Sequence, residues 1–400
     1  MKKQLTSIFI LITILTATAP ALAQTDAVGD SWNSKTPLQV ARGGLGVAVV
    51  DGKIYAIGGS TRTGPPSSPA SIVGTNEEYD PVTDTWNFKT PMPTPRYSFA
   101  IATYQGKLYC IGGYTSNLSR TGVNEVYDPA TNMWETKISM PTPRSDLQAT
   151  IVDGKIYLIG GVVENKTSGS RYSTSPLNEV YDPATNTWTT KEPLPYMLPN
   201  YASATIDSKI YLIGGSLDGQ HTALNQIYNT ITDSWTIGSS APTYFWSGYA
   251  VSTVGMFAPE RIYVFNKPAT NIASGPVPVY SNQIYDPLAD NWTTGADIPT
   301  EREYFGAVNV NDTVYVIGGQ TIYYPDLESW SSGPYVTPHA TVEQYTPLGY
   351  GTISPSPSAP SNLENPQSVQ TEFIAIIVIA IILSIASFFV IKGRKRTTSH

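Results

Sequence analysis

Aromatic, acidic and basic residues of the kind that form binding sites lie just beyond a recurring position in this chain. Arg42, Arg96, Arg144 and Arg302 occupy that position, and Leu198 and Phe245 stand in its place in two further units. The candidate residues, including two in a long loop, are Tyr97, Asp146, Tyr201, Trp246, Glu303, Tyr304, Arg171 and Tyr172. Aromatic rings stack on sugars and attract cations. These residue types suit a sugar, a peptide or a cationic group, and the alternative is that the rings only pack loop against loop.

A recurring strand must position these residues. Near-copies of Lys53 to Gly59 (KIYAIGG) return at roughly fifty-residue intervals as KLYCIGG, KIYLIGG twice and TVYVIGG, with a worn version, RIYVFNK, at 261–267. Runs of β-branched and aromatic residues favour a strand, and two glycines end it. Apolar residues occur on both faces of the run, which predicts a small sheet covered on both sides.

Two further landmarks keep a fixed distance from this strand. A tyrosine precedes a tryptophan by seven residues five times, from Tyr79 and Trp86 to Tyr285 and Trp292. In four units an arginine lies ten residues after a tryptophan, as Arg96 follows Trp86. Three interlocked spacings of this kind indicate an internal repeat.

The combination of arginine, Gly-Gly strand end, Tyr-Asp-Pro and tryptophan resembles the kelch repeat over about residues 30–347. The resemblance implies an all-β fold, a kelch-type β-propeller of four-stranded antiparallel blades. In such a blade, the long loops after the Gly-Gly strands and the connections that follow the arginines share one face. Kelch proteins commonly bind partners there, and the residues just after the arginines should point to the mouth of the central channel. The arginines themselves are expected to be buried struts between blades.

Six Gly-Gly strands, counting the worn one, predict six blades. Trp32 has no tyrosine seven residues before it, and Tyr345 has Thr352 rather than tryptophan seven residues after it. These complementary defects predict that residues 30–36 supply the outer strand of the blade formed by residues 302–347. Such an exchange closes the ring and removes exposed sheet edges.

Both ends of the chain carry targeting signals. Residues 1–23 have two lysines, an apolar stretch and Ala-Leu-Ala at the end, which is typical of a secretory signal peptide. Phe373 to Ile391 is an apolar run long enough to span a bilayer, and the basic residues after it should stay cytoplasmic. We therefore expect a single-pass cell-membrane protein with an extracellular propeller. Its expected parts are a signal peptide (1–23), a six-bladed propeller (24–349), a Pro/Ser-rich stalk (350–371), a transmembrane helix (372–391) and a basic tail (392–400).

Charge and cysteine content exclude several classes of function. The part expected outside the cell carries 18 Lys and Arg against 30 Asp and Glu, a net charge near −12, which argues against nucleic acid as a partner. Cys110 is the single cysteine, so no intramolecular disulfide can form, and its place in a buried strand predicts an inert thiol. His221 and His339 lie in loops of different blades, and we expect no metal and no cofactor.

The sequence therefore predicts a membrane-anchored module that binds a protein or glycan ligand through the variable-loop face, without catalytic residues. One alternative is a carbohydrate-active kelch-propeller enzyme of the epimerase or oxidase type, in which Asp146 or Glu303 would act as acid or base. The other is a structural component of the cell envelope. Sequons at Asn117, Asn165, Asn291 and Asn311 would carry surface sugars if the host glycosylates secreted proteins.

Overall fold

The computed structural model describes residues 29–65, 71–117, 119–164, 172–217, 220–268, 281–323 and 335–352. In these ranges the chain forms six four-stranded antiparallel sheets and no α-helix. The predicted signal peptide and Phe373 to Ile391 lie outside the described residues. Within them, no helical segment has the length and apolar character needed to cross a membrane.

Each four-stranded sheet is one blade, and the strand order from axis to periphery is the same in all six. The inner strands are Gly46–Val50, Ala100–Tyr104, Ala149–Val152, Ala202–Ile206, Phe245–Ser252 and Gly306–Val310. The second strands are Lys53–Ile57, Lys107–Ile111, Lys155–Ile159, Lys209–Ile213, Ile262–Pro268 and Thr313–Ile317. The third strands are Asn76–Asp80, Asn124–Asp128, Asn178–Asp182, Asn225–Asn229, Ser281–Asp286 and Val342–Thr346. The outer strands are Thr85–Lys89, Met133–Lys137, Thr187–Lys191, Ser234–Gly238, Asn291–Gly295 and, for blade 6, Ser31–Lys35.

The inner strands contact one another in a closed ring, from blade 1 through blade 6 and back to blade 1. Short two-stranded ribbons stand on the variable-loop face. They are Arg96–Tyr97 with Tyr114–Thr115, Val162–Glu164 with Tyr172–Thr174, Ser216–Leu217 with Gln220–His221, and Gln320–Tyr323 with Tyr335–Pro338. The connections between the second and third strands, with these ribbons, thus lie on one side of the ring.

The Gly-Gly pair ends the second strand because only glycine fits there. Gly58 has a φ of +64°, and a Cβ at this position would lie 2.7 Å from the carbonyl oxygen of Arg96 in the next connection. In blade 5 Asn266 and Lys267 replace the glycines, and the strand continues to Pro268. The degenerate repeat of blade 5 therefore has a longer second strand, and the four-stranded blade still forms.

A clasp made by tryptophan joins adjacent blades. In blade 1, Trp86 Nε1 donates to the carbonyl of Thr36 at 2.9 Å, and the N–H of Thr36 donates to Asp84 Oδ1 at 2.9 Å. Asp84 also accepts a hydrogen bond of 2.5 Å from the hydroxyl of Tyr79 in its own blade. The clasp occurs six times in the described residues, with Thr36 replaced in turn by Thr90, Ile138, Glu192, Ser239 and Ala296.

The N-terminal segment completes the last clasp and the last sheet. Trp32 pairs with Tyr345 across the two strands, and its Nε1 donates to the carbonyl of Ala296 at 2.9 Å. Asp30 Oδ1 accepts from the N–H of Ala296 at 2.5 Å and from the hydroxyl of Tyr345 at 2.8 Å. The prediction of six blades closed by this segment is confirmed.

The clasps make stability sensitive to acid. Hydrogen bonds from Tyr79, Tyr228 and Tyr285 lower the pKa of Asp84, Asp233 and Asp290, respectively. A carboxyl group with a lowered folded pKa stabilises the fold above its unfolded pKa of about 3.9, and this contribution is lost as pH falls through the folded pKa.

We therefore expect the variant with all three aspartates changed to asparagine to lose less thermal stability between pH 6 and pH 3 than the wild type. Asparagine should preserve the clasp, because Asn132 and Asn186 already fill this position in blades 2 and 3. Calorimetric melting temperatures across this range provide the measurement. Parallel losses in the two proteins would contradict a role for these carboxylates.

Candidate functional site

The recurring arginines fix the connections that carry the candidate residues. The carbonyl of Arg96 accepts from the N–H of Gly59 in blade 1 at 3.0 Å. Its guanidinium donates to the carbonyl of Cys110 at 2.8 Å and to Glu125 at 2.5 Å, both in blade 2. Arg42, Arg144 and Arg302 are also fully buried and pair with Glu77, Glu179 and Glu343. The prediction that these arginines are buried is confirmed; each guanidinium bonds groups of its own blade, and the backbone carbonyls of Arg42, Arg96 and Arg144 make the bond to the preceding blade.

Sequence reasoning missed the acidic partner of each strut. In blades 4 and 5, where Leu198 and Phe245 replace the arginine, the glutamate is replaced by Gln226 and Gln283. The side-chain amide of Gln226 bonds both backbone groups of Tyr196 at 3.0 Å. The sequence signal for this pairing is that glutamate changes to glutamine in the same two units in which arginine is lost. A buried carboxylate needs a counter-charge, so the two residues change together.

The recurring position held by the arginines, and by Leu198 and Phe245 in blades 4 and 5, is called the strut position. Two residues after it, the backbone bends at the mouth of the central channel. Gly44, Ser98, Asp146, Asn200 and Tyr304 all have φ between 51° and 66°. The N–H groups of Gly44, Ser98 and Asp146 donate to the carbonyls of Tyr304, Gly44 and Ser98 at 2.7, 2.8 and 3.0 Å. These bonds link blades 6, 1, 2 and 3 around the axis and hold the side chains of Asp146 and Tyr304 at the mouth. A tyrosine in the left-handed region costs about 1 kcal/mol or more, and such strain is concentrated at functional positions.

Asp146 and Tyr304 contribute to two cavities. The inner cavity, of about 160 Å³, follows the axis between the inner strands and includes Asn200 and Tyr249 among its walls. The outer pocket, of about 230 Å³, lies toward blades 6, 1 and 2. Gly43, Gly44, Ser60, Arg62, Tyr97, Asp146, Tyr304, Gln320, Ile322 and Val336 form its walls. The two cavities share Gly44, Asp146 and Tyr304, so these residues lie where the channel meets the variable-loop face.

The electrostatics of the mouth centre on Asp146. Ser145 Oγ donates to Asp146 Oδ2 at 2.6 Å and accepts a bond of 2.9 Å from Arg120 Nε. Burial raises the pKa of Asp146, and the hydrogen bond from Ser145 opposes this rise. Burial, reinforced by the charge of Asp146, raises the pKa of Tyr97 to about 12 and that of Tyr304 well above its usual range. The mouth therefore presents a partly buried carboxylate and two neutral phenols, with Arg62 in the wall of the same pocket, and the carboxylate suits a cation or a hydroxyl donor.

Other candidates lie around this pair or away from it. The ring of Tyr97 meets that of Tyr114 edge-on with centroids 5.5 Å apart. The carboxylate of Glu303 is 3.3 Å from Lys267 Nζ, and its backbone bridges to Gln320. Tyr172 pairs through its backbone with Glu164. Arg171 and the side chains of Tyr172 and Trp246 lie outside the described residues.

Tyr201 lies in the core rather than at the mouth. Its side chain is 2% exposed, and its hydroxyl donates to the carbonyl of Ile159. The reason is register. Tyr201 is three residues beyond Leu198, a position filled by buried Leu45, Phe99, Leu147 and Phe305 in other blades. Asn200, two residues beyond Leu198, has the left-handed backbone of the mouth, and both Asn200 and Tyr201 contribute to the wall of the inner cavity, whereas Tyr201 does not line the outer pocket.

No cluster of three or more His, Cys, Asp or Glu side chains that could hold a metal ion occurs in the part of the chain that the structure describes. Cys110 is fully buried in the second strand of blade 2, and burial raises the pKa of its thiol to about 12. A thiol of this kind is a poor nucleophile.

Comparisons with known proteins agree with the fold. The family model of the KLHDC2/KLHL20/DRC7 Kelch-repeats domain matches residues 44–265. Kelch-like protein terF of Aspergillus terreus is 29% identical over 197 residues, which are 46% of this chain and 42% of that protein. Kelch-like protein 25 of Xenopus tropicalis is 27% identical over 278 residues, 68% of this chain and 36% of that protein.

The chain spans less than half the length of these curated relatives. Among solved structures, YjhT superimposes with a TM-score of 0.58 and 17% identity, over 77% of this chain and 96% of that one, and so shares the fold. Kelch propellers generally serve as protein-interaction modules. On its matching repeats and its six-bladed architecture, this chain belongs to the kelch-repeat family.

Proposed function

We propose that this chain is a membrane-anchored extracellular recognition module that binds a protein ligand through the variable-loop face of its propeller. The outer pocket carries the proposal. Tyr97, Asp146 and Tyr304 are partly exposed in it, and the long loops of the propeller lie on the same face. Variable loops on a rigid scaffold are common sites of recognition. The anchor and the extracellular location rest on residues 1–23 and 373–391 of the sequence.

The chemistry of the pocket favours a ligand that presents a lysine, an arginine or a hydroxyl group. Such a group would donate a hydrogen bond to Asp146 and replace the interactions with water that its carboxylate loses through burial. The faces of Tyr97 and Tyr304 would attract the same cation. The strained backbone of Tyr304 is then explained by the need for a ring at this point of the mouth.

Changing Asp146 to asparagine tests the proposal. The full chain in nanodiscs is first screened against secreted and surface proteins and against a glycan array. For the ligand that emerges, we expect Asp146→Asn to weaken binding about 10- to 100-fold, since hydrogen bonds to charged groups contribute about 1.5–3 kcal/mol.

A matched control is Asp153→Asn, which changes an exposed aspartate of the same blade, also in the left-handed region, on the opposite face. Its affinity should equal that of the wild type. Equal affinities for Asp146→Asn and the wild type would show that the ligand does not use the mouth, and a hit confined to glycans would replace the protein ligand by a sugar.

A carbohydrate-active enzyme is the second candidate, because the raised pKa of Asp146 is a property of catalytic acids. Incubating the full chain with the glycans of the array, and following the products by mass spectrometry and NMR, separates the two functions. Turnover that is lost in Asp146→Asn would favour the enzyme. If no ligand and no turnover are found, a structural role in the envelope is favoured.

A further inference from the structure

Apolar side chains protrude from the face opposite the variable loops, here called the turn face. Each lies three residues after the repeated tyrosine, at the tip of a turn in the outer part of its blade. Leu288 is 97% exposed, Val82 91%, Ile231 76% and Leu348 49%. These four residues, the apolar tips, belong to the consecutive blades 4, 5, 6 and 1. The same position holds Ala130 and Ala184 in blades 2 and 3.

The fold does not require an apolar residue at these tips. The N–H of Val82 donates to Asp80 Oδ1 at 2.9 Å, and the N–H of Leu288 donates to Asp286 Oδ1 at 3.0 Å. Ala130 makes the same bond to Asp128 at 3.0 Å, so the turn forms equally well with a small side chain. Single exposed apolar residues are ordinary on protein surfaces. Four at one repeat position, in consecutive blades and on one face, indicate a shared contact.

An insertion in blade 5 adds to the same face. Asp312, from the turn of blade 6, is fully buried and accepts from the N–H groups of Val254, Met256 and Phe257, all at 2.7 Å. This carboxylate fixes the insertion, on which Val254 is 62% and Met256 41% exposed. The apolar tips and the insertion therefore lie on the same part of the ring.

The described chain also ends at this part of the turn face. Tyr350 stacks on Phe257 of the insertion with ring centroids 5.9 Å apart, and the N–H of Gly351 donates to the carbonyl of Phe257 at 2.6 Å. Twenty residues separate Thr352 from the apolar run that begins at Phe373. Twenty residues limit the distance between Thr352 and the start of this run to about 70 Å. The turn face would thus remain within reach of a bilayer that the run crosses.

We infer that the turn face rests on the surface of the lipid bilayer through the apolar tips, with the variable-loop face directed away from it. The inference rests on the membrane anchor of the proposed function. Individually weak contacts suffice because a short tether gives an effective concentration on the order of millimolar. Several aspartates at the same turns are paired, as Asp128 with Lys107 at 3.2 Å and Asp286 with Arg261 at 2.9 Å, while Asp51, Asp153, Asp207 and Glu260 on the turn face are exposed and would repel anionic lipid. Zwitterionic lipid is therefore the expected partner.

Fluorescence in reconstituted vesicles tests this contact. The full chain with Leu288→Cys, labelled with an environment-sensitive dye, is incorporated into phosphatidylcholine vesicles that contain a spin-labelled phospholipid quencher. Cys110 is fully buried and should not take the label. We expect at least twofold quenching at position 288. Less quenching is expected for Ala130→Cys, which has the matching position in blade 2 but lies outside the apolar tips, and little for Thr63→Cys in an exposed variable loop.

A second variant shows whether the apolar tips cause the contact. Changing Val82, Ile231 and Leu288 together to serine should reduce the quenching of a label at Leu348→Cys severalfold, while the thermal midpoint stays within a few degrees of the wild type. The same quenching with and without the three serines would overturn the inference.

Other outcomes separate this inference from the anchor. A chain that floats with vesicles in a density gradient but shows no quenching at position 288 keeps its anchor and overturns the contact. A chain that fails to float overturns both. Stronger quenching at position 63 than at 288 would reverse the orientation and overturn the inference. The inference would also be overturned if self-association of the protein, detected by light scattering, shields the dye at position 288 and lipid does not.

Discussion

Changing Arg96 to leucine should lower the free energy of unfolding by about 3–5 kcal/mol, the usual cost of removing one partner of a buried ion pair. The substitution leaves the carboxylate of Glu125, 3% exposed, without its counter-charge, and removes the hydrogen bonds that Arg96 donates to the carbonyls of Thr94 and Cys110. Urea denaturation of the full chain in detergent, followed by tryptophan fluorescence, measures the effect.

The double variant Arg96→Leu with Glu125→Gln should recover most of this loss. It reproduces the arrangement that blade 4 already has with Leu198 and Gln226, where the glutamine bonds the backbone two residues before the strut position. In blade 2 that residue is Thr94, which already donates to Glu125. Replacing a buried ion pair with neutral, well-packed groups is often close to neutral in stability.

Lys107→Gln is the matched control for the charge. It breaks an ion pair in the same blade whose side chains are 38% and 24% exposed, and exposed pairs contribute about 0–1 kcal/mol. An Arg96→Leu variant as stable as Lys107→Gln would refute the view that the struts carry the inter-blade connections. Failure of the double variant to recover would show that the Arg96 contacts to backbone carbonyls outweigh its charge.

Removing residues 30–36 should have the largest effect on the propeller. The deletion takes away the outer strand of blade 6, the edge-on packing of Trp32 against Phe265 at 5.6 Å, and both halves of the clasp to blade 5. Truncation of a fully buried tryptophan costs about 3–5 kcal/mol, and the partly buried Trp32 should contribute a large part of that amount. We therefore expect a chain that unfolds without a cooperative transition at 25 °C or that aggregates through the unpaired third strand.

Two single variants calibrate that result. Trp32→Ala should reduce stability to a similar extent as Trp86→Ala, because both tryptophans make the same clasp. Asn33→Ser, at an exposed position of the same strand, should stay within about 0.5 kcal/mol of the wild type. If the deletion variant unfolds cooperatively at the wild-type urea midpoint, the N-terminal strand is not needed to close or stabilise the ring.

Much of the fold could be predicted because the repeat is encoded by local rules. A run of β-branched and aromatic residues, a Gly-Gly strand end and an Asp-Pro turn each restrict the backbone within a few residues, and repeated copies in order restrict the architecture. Ring closure was also predictable, since the repeat unit missing at Tyr345 reappears at Trp32. The pairing of Arg96 with Glu125 was missed because the two residues lie in different parts of the repeat. Their spacing along the chain does not show that their side chains meet.

The candidate site was harder to predict than the fold. The approximate region followed from the repeat, since the mouth residues come directly after the strut position. Whether a side chain is half-buried at the mouth or fully buried in the core depends on a single residue of register, and this separates Asn200 from Tyr201. Sequence also cannot show that burial raises the pKa of Asp146, because that shift depends on how the surrounding blades exclude water.

By itself the sequence determined the number of blades, the strand order, the segment that closes the ring and the face that carries the long loops. Each of these follows from the spacing of residues along the chain, which does not depend on how the chain folds. Tertiary structure alone decided that Asp146 and Tyr304 share the outer pocket, that Tyr201 does not line it, and that the apolar tips share one face with the point where the described chain ends. These are relations between blades distant in sequence, and only the curvature of the closed ring brings them together.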